Sequence, residues 1–194
     1  MRRKDMSNPI DHAREKLMSC GKKRLIQNKG KCGAFNLREI TAESGIALGT
    51  FYNYFDSKDD FILQIMDADW EEILKTVGEL ASFDLSLYEK VKRIYFKISL
   101  FEQTYRYTAM SQLKPEEKNL AHIKRKEQEA NILLKAFLQE EIDKGELGLE
   151  AKIDSAAYFL IQLLFAAGRN PEVDFDELWK CMNFRDTSVK QKGE

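Results

Sequence analysis

The sequence is poor in the residues that interrupt helices and in those that build metal or disulfide sites. Its 194 residues include 3 prolines, 3 cysteines and 2 histidines. The cysteines, Cys20, Cys32 and Cys181, are scattered, and no CxxC or Cys/His cluster occurs. A disulfide framework or a zinc site is therefore not expected. We expect three reduced thiols, with a redox sensor as a minor alternative, and no metal or cofactor.

Long apolar runs are also missing. The longest, AAYFLIQLLFAAG at 156–168, is shorter than the ~20 residues that a membrane span needs, and Gln162 interrupts it. The N-terminal stretch MRRKDMSNPIDHAREK is charged and lacks the apolar core of a secretory signal. These absences predict a cytoplasmic protein with no membrane partner.

The balanced net charge of −1 conceals an asymmetry between the two ends of the chain. Residues 1–58 hold 12 Lys and Arg against 6 Asp and Glu, whereas residues 59–194 hold 19 against 26. A basic head on an acidic body favours a polyanionic partner bound at the N-terminal end. Charge runs are usually only solvated surface, so the asymmetry alone does not identify that partner.

Strand signals are absent, while apolar residues recur every three or four positions along most of the chain. We predict an all-α fold of about nine helices. It comprises a three-helix head in a domain at 1–58 and a helical body in a domain at 59–194. The segments expected to be helical are 11–27, 36–44, 47–55, 57–81, 86–112, 116–144, 152–168 and 174–184.

Two short helices joined at ESGI, residues 43–46, predict a helix-turn-helix. Asn36 with Glu39 has the spacing of a capping box, and Gly45 suits a turn that needs positive φ. Phe51 and Phe55 lie one helical turn apart, so both should face inward. The outward face of the second helix then presents Leu48, Thr50, Asn53 and Tyr54, with Tyr52 at its flank.

This outward face has the chemistry of a DNA-binding surface. Tyrosine and threonine hydroxyls can donate to phosphates, Asn53 can pair with an adenine edge, and the Thr50 methyl can meet a thymine methyl. Gly49 lets the backbone approach another surface closely. Lys58, at the start of the next helix, favours a phosphate, and Arg38 can hold the DNA backbone across the groove. A Tyr-x-Tyr pair is more often packed inside, but the two phenylalanines already fill the inward face.

The block KGKCGAFNLREITAESGIALGTFYNYFDSKDDF, residues 29–61, resembles the tetracycline-repressor (TetR/AcrR) family of bacterial transcription regulators. The resemblance covers about residues 11–70. Ala47 stands where the family usually has serine, and Leu48 is apolar at a position that often reads bases. The positions that fit the family pattern are Lys29, Gly30, Phe35, Ile40, Gly45, Gly49, Thr50, Tyr52, Tyr54, Phe55, Ser57 and Lys58.

The resemblance implies a repressor that binds a palindromic operator in double-stranded DNA as a homodimer. It also implies that an unidentified small-molecule effector releases the DNA. The last two helices are our expected dimer interface, because they are apolar on more than one face and rich in small residues. A plain intramolecular core is the alternative. The expected interface residues are Ala157, Leu160, Leu164, Phe165, Gly168, Phe175, Leu178, Trp179 and Met182.

An effector pocket is expected in the body, where aromatic residues are concentrated. Arg106, His122 and Arg169 could hold an anionic ligand, although each suits a surface or interface position equally well. The candidate pocket residues are Tyr95, Phe96, Phe101, Tyr105, Tyr107, Met110, Phe159 and Gln162.

Two other functions compete with this interpretation. An enzyme is disfavoured, because the sequence contains no P-loop, nucleotide-binding glycine fingerprint or HExxH, and neither histidine has a neighbour that suggests a catalytic triad. A DNA-binding architectural or interaction protein with no small-molecule effector is the second alternative. It would require a body without a pocket.

Overall fold

The structure, a computed structural model, describes residues 9–27, 35–110, 112–182 and 185–186, although not the side chains at 9–11, 107–108 and 185–186. The predicted all-α class is confirmed. Within the described residues there are eight α-helices and one π-helical segment, where about nine helices were expected. The two-residue strands β1 (Leu147–Gly148) and β2 (Arg185–Asp186) pair antiparallel, a ladder that the helical periodicity did not predict.

The helix boundaries lie close to the predicted ones in most cases. The largest difference follows Tyr105, where the expected helix over 86–112 becomes π-helical for five residues, Arg106–Met110. The helices are α1 (Pro9–Gln27), α2 (Leu37–Ser44), α3 (Leu48–Phe51), α4 (Lys58–Leu80), α5 (Leu87–Tyr105), α6 (Glu117–Asp143), α7 (Ile153–Gly168) and α8 (Phe175–Met182).

The chain folds into two compact units. The first comprises Met1–Ala68 and Thr104–Pro115, and the second comprises Asp69–Gln103 and Glu116–Glu194. The division differs from the expected one at 58/59 because the first part of α4 packs into the head. There the ring of Phe61 lies 4.5 Å from that of Phe55 and 5.1 Å from that of Phe51, centroid to centroid.

The first unit has a core of aliphatic and aromatic side chains from four helices. A Cβ atom on Gly21 of α1 would lie 2.6 Å from Phe61 Cζ, so α1 and α4 approach closely there. Burial of this apolar surface is the main force that holds such short helices in place, since α2 and α3 are too short to be stable alone. The core includes Leu17, Leu25, Phe35, Ile40, Phe51, Phe55, Phe61, Ile62 and Ile65.

The second unit has a larger apolar core, drawn from α4, α5, α6, α7 and α8. An ion pair lies inside this unit: Lys90 Nζ donates to both carboxylate oxygens of Glu141, at 2.9 and 3.0 Å, with the side chains 3% and 0% exposed. Burying two charges is tolerated because each satisfies the other. The pair therefore fixes α5 against α6.

None of the helices in the part of the chain that the structure describes combines the length and apolar character that a membrane crossing requires. Among the same residues, no group of three or more His, Cys, Asp or Glu side chains is arranged to hold a metal ion.

Candidate nucleic-acid interface

The start of α2 and the turn after it are fixed by local hydrogen bonds. The Asn36 side chain accepts from the Arg38 N–H at 3.0 Å, and its amide donates to Glu39 Oε1 at 3.3 Å, a variant of the expected capping box. Gly45 has φ 70°, and its N–H donates to Ala42 O at 3.2 Å. Only glycine adopts this left-handed conformation without strain, so the turn sets the direction in which α3 leaves α2.

The second helix of the pair, α3, is short and has one clearly buried side. It spans Leu48–Phe51, where a helix over 47–55 was predicted, and residues 52–54 continue as a turn. Phe51 is 0% exposed and Phe55 1%, with their rings 5.0 Å apart. The inward positions of both phenylalanines are as expected from their spacing. Their burial leaves the remaining residues of 47–54 to form the outer surface.

The structure places the expected DNA-contacting residues of the segment 47–54 at or near the surface. Tyr52 is 53% exposed, and no atom lies within 4 Å of the position where a Cβ on Gly49 would stand. Ala47 caps α3 without a side-chain hydrogen bond, consistent with the absence of the family's serine hydroxyl. The exposed residues are Ala47, Gly49, Tyr52 and Asn53, and the half-buried ones are Leu48, Thr50 and Tyr54.

Arg38 and Lys58 flank this surface on the neighbouring helices. Arg38 is exposed in the first turn of α2. Lys58 begins α4, where its Nζ donates to Gln112 Oε1 at 3.0 Å and lies 5.7 Å from the centre of the Phe35 ring. Gln112 belongs to the segment after the π-helical residues, and sequence reasoning missed it. No local signal could have found it, because it lies 54 positions along the chain from Lys58.

The position of α2 is further secured by ion pairs to α1. Glu43 accepts from Lys23 Nζ at 2.7 Å and from Arg24 Nε at 2.9 Å. The hydrogen bonds from Lys23 and then Arg24 lower the pKa of Glu43 below its usual value of 4.5. Glu39 also lies within reach of Arg24, at 3.4 Å. The two acidic side chains of α2 are thus turned to α1.

Residues 24–65 match the family model described as bacterial regulatory proteins, tetR family. They include the whole α2–turn–α3 unit and the start of α4. The chain therefore carries the helix-turn-helix segment of the TetR family of bacterial regulatory proteins. Lys29 and Gly30, which are part of the family pattern, lie outside the described residues, as does Cys32.

The chain is 31% identical over 94 residues to the HTH-type transcriptional regulator PksA of Bacillus subtilis (strain 168). That match covers 48% of the chain and 45% of PksA, so the chain is aligned with about half of that relative.

Solved structures of similar fold cover nearly the whole chain. E. coli NemR, in its reduced form, is 17% identical with a TM-score of 0.70, over 91% of this chain and 100% of that one. Salmonella enterica GusR is 17% identical with a TM-score of 0.72, over 92% and 97%. FadR of Bacillus subtilis, solved with stearoyl-CoA, is 16% identical with a TM-score of 0.64, over 87% and 94%. At these identities the likeness shows the fold alone.

The residues expected at a dimer interface lie mainly in the core of the second unit. Trp179 and Met182 are half-buried against this core, and the Trp179 ring lies 5.4 Å from that of Tyr88. A Cβ on Gly168 would lie 3.0 Å from Ser99 Cα, so the close approach that Gly168 permits is made to α5 of the same chain. The buried members are Ala157, Leu160, Leu164, Phe165, Gly168, Phe175 and Leu178.

The opposite face of α7 is apolar and exposed. Tyr158 is 51% exposed, Phe159 67% and Leu163 37%, and the rings of the first two meet edge to face at 5.5 Å. Residues 155–168 carry no charged side chain. The interface residues predicted from the sequence lie on the other, buried face of this helix, because a helix that is apolar all round gives no indication of which side is buried. The exposed residues of this face are Ser155, Tyr158, Phe159, Gln162, Leu163 and Ala166.

The expected pocket residues that the structure describes line different clefts or lie outside them. Tyr95 and Phe96 line a cleft of about 490 Å³ between α5 and residues 171–176, whereas Phe159 lines a second cleft of about 490 Å³ beside α8. Phe101 packs on Trp70, with ring centroids 5.2 Å apart.

The other expected pocket residues lie elsewhere. Gln162 is exposed on α7, and Met110 is 40% exposed. Tyr105 is fully buried and belongs to the first unit, and the Tyr107 side chain lies outside the described residues.

The cationic candidates have partners on the protein surface. Arg169 Nε donates to Glu102 Oε2 at 3.2 Å, and Arg125 Nη2 lies 3.2 Å from His122 Nδ1. Arg106 is half-buried in the π-helical segment.

The cleft beside α5 combines ring surfaces with polar groups. Lys92 Nζ lies 2.7 Å from Tyr88 Oη and 3.2 Å from Asp176 Oδ1, and these hydrogen bonds raise the pKa of Lys92. The Tyr95 hydroxyl donates to Val173 O at 3.0 Å, while burial raises the pKa of that hydroxyl. Phe96 remains 56% exposed. The cleft can therefore offer both stacking and hydrogen bonds.

Proposed function

We propose that this regulator is a repressor that binds a palindromic operator as a homodimer and is released by a small-molecule effector. The observation that carries the DNA-binding part is the outer surface of residues 47–54. It is exposed, it lacks charged side chains, and it is backed by two fully packed phenylalanines. A helix that buries its back and exposes its front in this way can enter a major groove.

The dimer is supported by the exposed face of α7. Contiguous apolar surface of this kind usually marks an interaction site, because leaving it in water is unfavourable. An isologous contact would pair this face with the same face of a second copy. Ser155 and Ala166 are small enough for two helices to approach, and Tyr158 and Phe159 supply area to bury. We therefore move the proposed interface from the buried side of α7 to its exposed side.

The effector is supported by the cleft beside α5. Its volume of about 490 Å³ lies within the range of small-molecule sites, roughly 300–1,000 Å³. An effector with an aromatic or apolar part and at least one hydrogen-bonding group would suit Phe96 and the polar Ser99–Gln103 pair, where Gln103 Nε2 donates to Ser99 Oγ at 2.9 Å. The FadR structure was solved with stearoyl-CoA, so a transcriptional regulator of similar fold can bind a small molecule.

Release follows from thermodynamic linkage. An effector that binds the DNA-free conformation more tightly than the DNA-bound one must lower operator affinity, by the same factor by which the operator lowers effector affinity. A coupling of about 1–3 kcal/mol would be ordinary, a 5- to 150-fold change. The helix α4 is continuous from Lys58 in the first unit to Leu80 in the second, which provides a covalent route for such coupling.

The DNA-binding part is tested by selecting random duplexes with the full-length protein. We expect an inverted repeat whose half-sites lie about one helical turn apart, or a multiple of it. Failure to enrich any sequence would contradict the proposal.

The effector part is tested by a thermal-shift screen, since a compound that binds the native state raises the melting temperature by mass action. A hit should lose its effect in Phe96→Ala and should weaken operator binding. If hits stabilise the protein yet leave operator affinity unchanged, the cleft is not regulatory. The protein would then be a DNA-binding protein without an effector.

A further inference from the structure

The surface around α3 lacks the side chains that usually read guanine and cytosine. Residues 47–54 are ALGTFYNY, with no Arg, Lys, Gln, Asp or Glu among them. Guanine is most often recognised by Arg or Lys that donates to O6 and N7, and cytosine by a carboxylate that accepts from N4. Residues 47–54 contain neither a cationic side chain nor a carboxylate. Their direct contacts to bases must therefore differ from these usual contacts to guanine and cytosine.

The groups that it does present match the edges of A·T pairs. Ala47 is exposed, and Leu48 and Thr50 are half-exposed, so each offers a methyl group at the surface. Apolar contact with the C5-methyl of thymine is the usual use of such groups in the major groove. Asn53 is exposed and carries the amide that pairs with N6 and N7 of adenine.

The neighbouring charged groups on α2 and α4 are mostly engaged within the first unit. Glu39 and Glu43 are directed to Arg24 of α1, and the Lys58 ammonium donates to Gln112. On α2 this leaves Arg38, exposed in the first turn, as the side chain that can bind a guanine. Any guanine that the protein reads directly through α2 or α3 should therefore lie beside α2 rather than under α3.

We propose that the operator half-site has A·T pairs at the positions under α3, recognised mainly through thymine methyl groups by Ala47, Leu48 and Thr50 and through adenine by Asn53. This inference rests on the proposed function and specifies which base pairs the surface of residues 47–54 binds.

The test begins with duplexes selected by the full-length wild-type protein. Each thymine of the selected half-site is then replaced in turn by uracil, which removes only the C5-methyl group and keeps base pairing. Under α3, each replacement should lower affinity by about fourfold, the factor expected for withdrawing one buried methyl group. Replacement outside the half-site is the control and should have no effect.

Matched variants assign each methyl contact to its residue. Thr50→Ser keeps the hydroxyl and removes the methyl, and Leu48→Ala shortens the apolar side chain. Each should cancel the uracil effect at one position and leave it at the others. Asn53→Ala should relax the preference for adenine, and Leu48→Arg should introduce a preference for guanine. Circular dichroism of each variant checks that the fold is kept.

Failure of the proposed function and failure of this inference give different results. If the protein enriches no sequence, the proposed function itself is contradicted. The positions under α3 are those at which Leu48→Ala and Thr50→Ser change the base preference. If the protein enriches a strong site with G·C pairs at those positions, DNA binding stands and this inference is overturned. The same conclusion follows if uracil has no effect on affinity at any of those positions.

Discussion

The ammonium of Lys58 donates a hydrogen bond to Oε1 of Gln112 over 3.0 Å. Beside it, the backbone N–H of Lys114 donates to the buried carboxylate of Asp59 over 3.1 Å. These contacts attach the segment after the π-helical residues to the first turn of α4. Because we propose that Lys58 binds a DNA phosphate, Gln112 and the phosphate compete for, or share, the same ammonium.

Replacing Gln112 should therefore change DNA affinity through charge. In Gln112→Glu, a carboxylate beside Lys58 should hold the ammonium and repel the phosphate. Binding to all duplexes should weaken by a similar factor, and the slope of log K against log salt should become shallower by about 1, as for the loss of one phosphate contact. Fluorescence anisotropy across a salt series measures both quantities.

Two variants serve as controls for this experiment. Gln112→Ala removes the hydrogen bond without adding charge and should keep the wild-type slope, whereas Lys58→Ala should reproduce the shallower one. In the contrary outcome, Gln112→Glu keeps the wild-type slope of log K against log salt while the slope for Lys58→Ala becomes shallower by about 1. That result would show that the carboxylate does not restrain Lys58.

Substitution of two glycines in the first unit should affect two different properties, DNA affinity at Gly49 and the free energy of unfolding at Gly21. A Cβ on Gly49 meets no atom within 4 Å, whereas a Cβ on Gly21 would lie 2.6 Å from Phe61 Cζ and 2.7 Å from Ile65 Cδ1. Gly49→Leu should keep the wild-type melting temperature and lose DNA affinity, because the side chain stands where DNA must approach. Gly21→Ala should lower the free energy of unfolding by about 1–3 kcal/mol through overpacking.

Thermal unfolding and DNA binding of both glycine variants measure these effects. Wild-type DNA affinity in Gly49→Leu would show that α3 does not approach DNA closely at this residue.

The local features of the head were predictable because they depend on short-range chemistry. The Gly45 turn and the capping role of Ser57, whose Oγ accepts from the Asp60 N–H at 3.0 Å, both follow from residue type and spacing. The pairing of Lys58 with Gln112 does not, since it depends on tertiary structure. The π-helical residues 106–110 were also missed, because the apolar periodicity of α5 continues through Tyr105 without an interruption.

The faces of α7 illustrate a different limit of sequence reasoning. Periodicity locates a buried face only when the other face is polar, and residues 155–168 lack charge on either side. Leu164 and Phe159 are equally apolar in sequence, yet they are 0% and 67% exposed. Their difference arises from packing against the core of the second unit, which no local pattern records.

A charge substituted on the exposed face of α7 should affect assembly, whereas one substituted on the buried face should affect folding. Phe159→Glu places a charge on the exposed face and should convert dimers to folded monomers. Leu164→Glu buries an unpaired charge and should unfold the second unit, at a cost of several kcal/mol. Phe83→Glu, at a residue 48% exposed outside α7, is the matched control and should stay dimeric. Sedimentation velocity with circular dichroism measures both properties, and a dimeric Phe159→Glu would place the interface elsewhere.

The buried ion pair of the second unit should show strong coupling. Lys90→Met leaves the Glu141 carboxylate without its main partner, with Lys144 Nζ at 3.6 Å, and should cost about 3–5 kcal/mol of unfolding free energy. The double variant Lys90→Met with Glu141→Leu removes both charges and should recover most of that loss. Urea denaturation of the wild type, both single variants and the double variant measures the coupling. Additive losses would show that the two groups act independently.

Acid should weaken the link between α1 and α2. The pKa of Glu43 is lowered in the folded state by Lys23 and then Arg24. The ionised carboxylate therefore stabilises the folded state fully above its ordinary pKa of 4.5, and this stabilisation is lost as the pH falls through the lower pKa of the folded state. Glu43→Gln should melt below the wild type near pH 7, and the two melting temperatures should converge below about pH 4.5. A difference that stays constant across this range would mean that the carboxylate charge is not involved.

The most direct test of the account is the stoichiometry and affinity of the full-length protein on its selected DNA. The duplex with both half-sites is compared with one in which a single half-site is scrambled, by sedimentation equilibrium and fluorescence anisotropy. We predict two chains on the intact palindrome and a loss of affinity of at least tenfold when one half-site is scrambled, since only one α3 helix of the dimer then meets its specific sequence. One chain bound with equal affinity to both duplexes would contradict the proposed dimeric repressor.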